Sequence, residues 1–302
     1  MLHLKFIRST HLRTVSSPQD AFIEWQKLVL NYTERKLTDY RDKLPAISGV
    51  AKAIHQTTGS SYIAGIWADN FSADILWYSL DPKKTMNETS FIAPSFSWAS
   101  VNSTTPNFDF DMGPESRYHP VAMLTWSHTV PIGNSQFGQI ESGFIILKAP
   151  LLSTSLKAID VSLEIIISPY RLNIFWYPDT DLGAIEITNQ DKTLEWPACR
   201  WHQATTIDGS SSTLDTSDIL ARDPKYPPCW LLYLGFFSNP SPEAILGVRS
   251  TKQVFMVLGK SLKSAGAYER LGLWCPDHYE DEEKNETVDL IERSPITEVR
   301  IV

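Results

Sequence analysis

The chain has 302 residues, of which 42% are hydrophobic and 21% charged, with three cysteines and a net charge of −8. That length and balance suit a globular protein of one large or two ordinary domains; they exclude a wholly disordered chain and a disulfide scaffold. The acidic balance, with no basic run, argues against a nucleic-acid surface.

Residues 1–16 show no period and read as a loose lead-in. Ser17 and Pro18 are good N-cap and first-turn residues. Phe22, Trp25, Val29 and Tyr32 follow at helical spacing, which predicts an amphipathic helix with Trp25 and Tyr32 on its buried face. Thr38 begins a short helical turn, and Pro45 reads as the first residue of a second helix carrying Ile47, Val50, Ala51 and Ile54. Gly59 can end that helix. Gly49 inside it disfavours helix by about 1 kcal/mol relative to Ala, so close approach by a backbone or a large ring is expected there. A third helix is predicted over about 69–78, with Phe71, Ile75 and Leu76 inward.

After a polar loop at 81–90 the texture changes to short apolar or alternating runs separated by Gly, Pro, Asn, Asp and Ser. Strands are predicted at 121–127, 140–148, 157–167, 171–177, 229–236, 253–260, 268–274, 286–292 and 297–302. The run 231–237 is apolar throughout and should be central; 102–118 and 203–228 read as long loops, and the acidic run 277–283 as a solvated hairpin tip. Helices first and strands afterwards predict an α+β chain. A helical lobe at 17–80 would pack on a larger, mostly antiparallel β lobe at 91–302, a barrel or a sandwich.

Two signatures in the first third are dense. Trp25, Val29, Tyr32, Arg35, Leu37, Thr38, Asp42, Lys43, Leu44, Ala46, Ser48 and Gly49 form one; Ala93, Pro94, Ser95, Ser97, Trp98 and Ser100 form the other. Between them stand Tyr62, Ala64, Gly65, Trp67, Leu76 and Trp77. Together these resemble the region just after the HET domain in heterokaryon incompatibility proteins of filamentous fungi, with looser likeness at 137–147 and 268–274. Phe96 departs from the family, whose members usually carry a second Trp there. The resemblance implies a place in non-self recognition and programmed cell death. In that family the death-promoting role is associated with an N-terminal HET domain, for which the residues before Trp25 leave no room.

Residues that could carry chemistry have weak patterns. Cys199/His202 and Cys275/His278 form two C-x2-H pairs that could in principle share a zinc, but their separation is uninformative, and no shared metal is expected. Ser95 and Ser97, with His119 and His128 downstream, lack a nucleophile-elbow motif; their hydroxyls are expected to satisfy backbone groups. The pairs Asp109/Asp111 and Asp179/Asp181 are at loop spacing, and no phosphate-binding glycine motif is present. Among ten tryptophans, Trp25, Trp67, Trp77 and Trp98 read as core; Trp126, Trp176, Trp201, Trp230 and Trp274 lie in or beside strands and stay open. Asp42 can cap the helix after it or pair with Arg35.

The N-x-S/T sequons at Asn31, Asn70, Asn87, Asn102 and Asn285 read as chance, because the first residues lack a signal-peptide run. No run approaches the ~18 consecutive apolar residues of a membrane span. The chain therefore reads as a cytoplasmic, non-enzymatic recognition or regulatory module without cofactor, acting through an unknown protein partner. The alternatives are a carbohydrate or peptide binder using exposed tryptophans and, more weakly, a hydrolase with an unrecognised site.

Overall fold

The computed structural model describes residues 17–35, 37–79, 91–101, 106–107, 116–159, 162–167, 170–174, 176–178, 228–238, 251–261, 263–275, 289 and 291–302. The chain is α+β. Helix α1 spans Pro18–Thr33, and Ser17 Oγ accepts from Asp20 N at its start. Phe22, Trp25 and Val29 are buried along one face, as their spacing predicts, while Tyr32 is half-buried against the same core. Helix α2 spans Lys43–Thr58 and ends on Gly59. The turn expected at Thr38 forms slightly later, at Tyr40–Asp42, where the Asp39 side chain accepts from Arg41 N. Pro45 therefore stands within the first turn of α2 rather than at its first position. Its missing N–H still costs no helical bond there.

Strands β1 (Tyr62–Ile63) and β2 (Ile66–Trp67) form a minimal hairpin. The third helix is shorter than expected. Helix α3 covers only Phe71–Asp74, after a 3-10 turn at Ala68–Asn70, and Tyr78–Ser79 is already strand β3, paired with β4 (Pro106–Asn107). Phe71, Ile75 and Leu76 are nonetheless buried.

Gly49 corrects a second expectation. It is exposed, and a Cβ built there would meet nothing within 4 Å. No ring or backbone approaches it, so its helix cost is uncompensated. Gly49→Ala is expected to stabilise the chain by about 1 kcal/mol, read as a higher urea midpoint.

The β lobe is a closed barrel of five strands with others attached. The ring runs through β7 (Ile140–Ile159), β11 (Pro228–Ser238), β12 (Thr251–Lys260), β13 (Tyr268–Trp274) and β14 (Ile296–Ile301), and β14 returns to β7. A ring with an odd number of strands cannot alternate direction all the way round. The parallel pair that this requires is β13–β14, joined where Tyr268 stands opposite Ile301 and its carbonyl accepts from Val302 N. Inward residues of all five strands, among them Leu147, Leu232, Met256, Leu273 and Val299, are fully buried. They join the helical lobe's core in one continuous hydrophobic cluster.

Strands β5 (Arg117–Pro120) and β6 (Met123–Pro131) precede the ring. β5 pairs with the second half of β11, β6 with the first half of β7, and Val121 and Ala122 donate to Leu234 O at the corner between them. The stretch 102–118, expected as loop, thus holds β4 and the start of β5. The strand expected over 157–167 is two antiparallel pieces, the end of β7 and β8 (Ser162–Ile167). Strand β9 (Tyr170–Ile174) continues that edge, and β10 (Trp176–Pro178) pairs with β13. The strand expected at 286–292 is not formed among the described residues: Asp289, Ile291 and Glu292 are helical, with Arg293 N donating to Asp289 O. Ile291 is buried from that turn, so its apolar spacing serves a helical face. The lead-in, the 81–90 loop, most of the two long loops and the acidic run lie outside the described residues. Among the described residues no helix is long and apolar enough to cross a membrane.

Candidate functional site

The signature residues converge on one turn. Ala64 and Gly65, both at positive φ, connect β1 to β2. Gly65 O accepts from two indoles, Trp25 Nε1 at 3.0 Å and Trp98 Nε1 at 2.8 Å. Ser97 Oγ donates to Ala64 O at 2.5 Å and accepts from Ala99 N. A Cβ on Gly65 would lie 2.7 Å from Trp98 Nε1, so the glycine is needed both for its φ of +102° and for this close approach. Trp67 packs edge-on against Trp25, with ring centroids 5.6 Å apart. Trp77 Nε1 donates to the carbonyl of Phe96, which is fully buried.

The other signature residues surround this hub. Tyr32 meets Trp98 edge-on at 6.4 Å. Burial first, and then the Asp42 carboxylate, push the Tyr32 phenol up to about 12, against the opposing pull of Arg35. Arg35 and Asp42 are both exposed, and no ion pair joins them. Asp42 stands at the N-cap of α2 without a side-chain cap bond. The cap or ion pair expected of it is therefore not formed; its carbonyl accepts from Tyr32 Oη at 3.5 Å instead. Lys43 is buried, and its Nζ donates to the carbonyls of Val101 and Ala99.

The two signature serines bind backbone, as expected of them. Ser95 Oγ donates to Val302 O and accepts from Arg270 N at 2.8 Å, and Ser97 is bound to the hairpin turn. Neither meets a histidine. His119 Nε2 lies 2.8 Å from Ser238 Oγ, and its ring stacks on Phe236. Cys275 is buried; Cys199, His202, His278 and the four paired aspartates lie outside the described residues. Among the described residues no group of three or more His, Cys, Asp or Glu could hold a metal.

Arg270 and Asp74 are among the buried charges that the sequence does not single out. Arg270, on β13, reaches into the helical lobe: Nη1 donates to Ile75 O at 2.7 Å and Nη2 to Trp77 O. Its guanidinium lies 3.7 Å from the centroid of the Trp77 ring, a cation–π contact. Asp74 is fully buried in α3 and accepts from Gln26 Nε2 and Asn70 Nδ2, each at 2.8 Å, and from Trp67 N at 2.9 Å. Arg270 falls in the loosely similar run 268–274, and Asp74 in neither dense signature. Both act on neighbours that the fold alone brings close.

Burial pushes the Asp74 carboxyl up to about 7, while its three donors pull it down. A raised folded pKa means the folded chain holds a proton that the unfolded chain releases near pH 4. Stability from this group is full below that pH and is lost as pH rises from there through about 7. The expected result is a urea midpoint that falls between pH 4 and pH 8 in the native chain, with a smaller fall in Asp74→Asn measured alongside.

The remaining candidate is a surface. On the outer face of β6–β7–β14, Met123 stands opposite Lys148 and Lys148 opposite Glu298; Trp126 stands opposite Ile146 and Ile146 opposite Arg300. Three large apolar side chains here are exposed: Met123 at 65%, Trp126 at 61% and Ile296 at 66%. Arg300 lies 4.0 Å from the centroid of the Phe144 ring. Trp230 and Trp274, left open by the sequence, are buried, and the side chains of Trp176 and Trp201 lie outside the described residues. Comparison with protein-family models, curated proteins and solved structures gives no match.

Proposed function

We propose that the chain is a non-enzymatic recognition module of the kind that follows the HET domain in fungal heterokaryon incompatibility proteins. Its contact surface is the outer face of β6, β7 and β14. The observation that carries this reading is the cluster of exposed Met123, Trp126 and Ile296 on the barrel wall. Exposed apolar side chains gathered on one face mark interaction sites more often than isolated ones do. The signature supports the same reading by elimination of roles. Trp25, Gly65, Ser97 and Trp98 are committed to one another in the core, so these signature residues offer no contact surface of their own. A carbohydrate site built on several ring platforms has less support, since Trp126 is the one exposed tryptophan among the described side chains.

Expression of residues 1–302 in a filamentous fungus tests this. The host is expected to survive induction, and incompatibility death driven by full-length family members is expected to weaken as their partner is occupied. Trp126→Ala should remove that interference without lowering the melting temperature. Rapid, dose-dependent death caused by these residues themselves, unchanged by Trp126→Ala, would overturn the reading.

A further inference from the structure

We infer that β6 is a docking edge for an extended, acidic segment of a partner protein, which adds to the sheet as a further strand. This rests on the recognition reading above and names the partner's chemistry. β6 pairs with β7 along one edge; among the described residues no backbone group bonds to its other edge, and β1, which packs near the strand, makes no ladder with it. In an antiparallel pair, alternate residues turn their N–H and C=O groups away from the partner, so this edge presents a row of them without ladder bonds.

Edges of this kind are normally blunted by lysines and other charges, prolines, β-bulges or shortness. β6 runs for nine residues, M-L-T-W-S-H-T-V-P, without one Asp, Glu, Lys or Arg; its register shifts at Leu124/Trp126 and at Val130/Pro131 leave Trp126–Val130 as the regular stretch of this edge. Its residues from Met123 to Val130 are exposed or half-exposed throughout, including Leu124, Ser127 and Thr129. Strand addition is how a sheet edge recognises an extended peptide: main-chain bonds give affinity, and alternate side chains give specificity.

Charge selects the occupant. Lys148 lies on the outer face next to this strand and Arg300 one strand further, on β14; neither makes an ion pair among the described residues, Glu298 included. They stand out on a chain whose net charge is −8. Lys148 lies directly across from Met123, so a glutamate on an added strand could meet its ammonium over the methionine side chain. Glu298 stands opposite Lys148 on its other side, on β14, yet no ion pair joins the two. A second copy of the chain would offer β6 itself, which has no carboxylate to give, and would bring its own negative charge. An acidic partner segment satisfies the free ladder, covers Met123 and Trp126 and neutralises Lys148.

The test uses residues 1–302 and three blocked nine-residue peptides. One alternates glutamate with valine, one alternates lysine with valine, and one is the glutamate peptide with alternate backbone nitrogens methylated. Binding is read by isothermal calorimetry and by chemical shifts of residues 123–131. The glutamate peptide is expected to bind at the β6 amides, at least about tenfold more tightly than either other peptide. Trp126→Ala should weaken it about tenfold or more, and Lys148→Glu should favour the lysine peptide. Both substitutions are at exposed side chains, and a thermal melt confirms the fold.

Equal binding of the methylated peptide would overturn strand addition, and equal binding of the lysine peptide would overturn the acidic partner. Concentration-dependent dimers that shift the β6 amides would assign the edge to a second copy instead. Failure of all peptides, while Trp126→Ala still abolishes interference in the fungal host, removes this inference and keeps the recognition role. Tight binding together with host death from residues 1–302 alone does the reverse.

Discussion

Trp98→Ala is expected to lower stability by about 3–5 kcal/mol. The ring is almost fully buried, packs against Tyr32 and the Gly65 backbone, and holds the Gly65 carbonyl through its indole N–H. Truncation opens a cavity in the hub and removes one of the two donors on that carbonyl. Trp98→Phe separates the two effects: it keeps most of the packing and loses the hydrogen bond, at about 1 kcal/mol for the bond itself. Urea unfolding of both variants checks this. An unchanged midpoint in Trp98→Ala would show that the ring does not anchor the hub.

Arg270→Met should be comparably severe, at about 3–5 kcal/mol, because it leaves buried acceptors without their donors. The side chain belongs to the barrel, while the carbonyls of Ile75 and Trp77 belong to the segment after α3. Neighbouring contacts run across the same seam, with Ser95 Oγ accepting from Arg270 N and Ser95 N donating to Val302 O. Methionine preserves the stem's packing but supplies no donor and loses the guanidinium's contact with the Trp77 ring. Two unfolding transitions in place of one would show that Arg270 couples the lobes. A stability loss under about 1 kcal/mol would show that the seam does not depend on it.

Local pattern makes the helical lobe legible. The Ser17 cap, the Phe22–Trp25–Val29 spacing and the Gly59 stop are all encoded within a few residues, and each forms as read. The strand of 140–159 is harder to read because Pro150 interrupts it. Pro150 is tolerated where β7 changes neighbours: residues up to it pair with β14, and Leu151 onward pairs with β11. The closure of the barrel is not legible, since it depends on β14 returning to β7 across most of the β lobe's chain length.

The site is legible only in part. The signature marks Trp25, Gly65, Ser97 and Trp98, yet nothing in their spacing says that three side chains meet at one turn. Gly49 carries a mark but no contact, whereas Arg270 makes the seam's contacts from a run marked only loosely. Trp126 resembles the core tryptophans in sequence; its exposure follows from standing on the outer face of an edge strand.

Residue-resolved amide hydrogen exchange on the uncomplexed chain distinguishes most directly a rigid signature hub from an open recognition edge. Slow exchange, close to the global unfolding limit, is expected for Gly65–Trp67, Ala99 and the amides of β11 and β12. Fast exchange is expected at alternate amides of Met123–Val130. A hub that exchanges quickly while the barrel is protected, or a β6 protected at every residue, would contradict that division of roles.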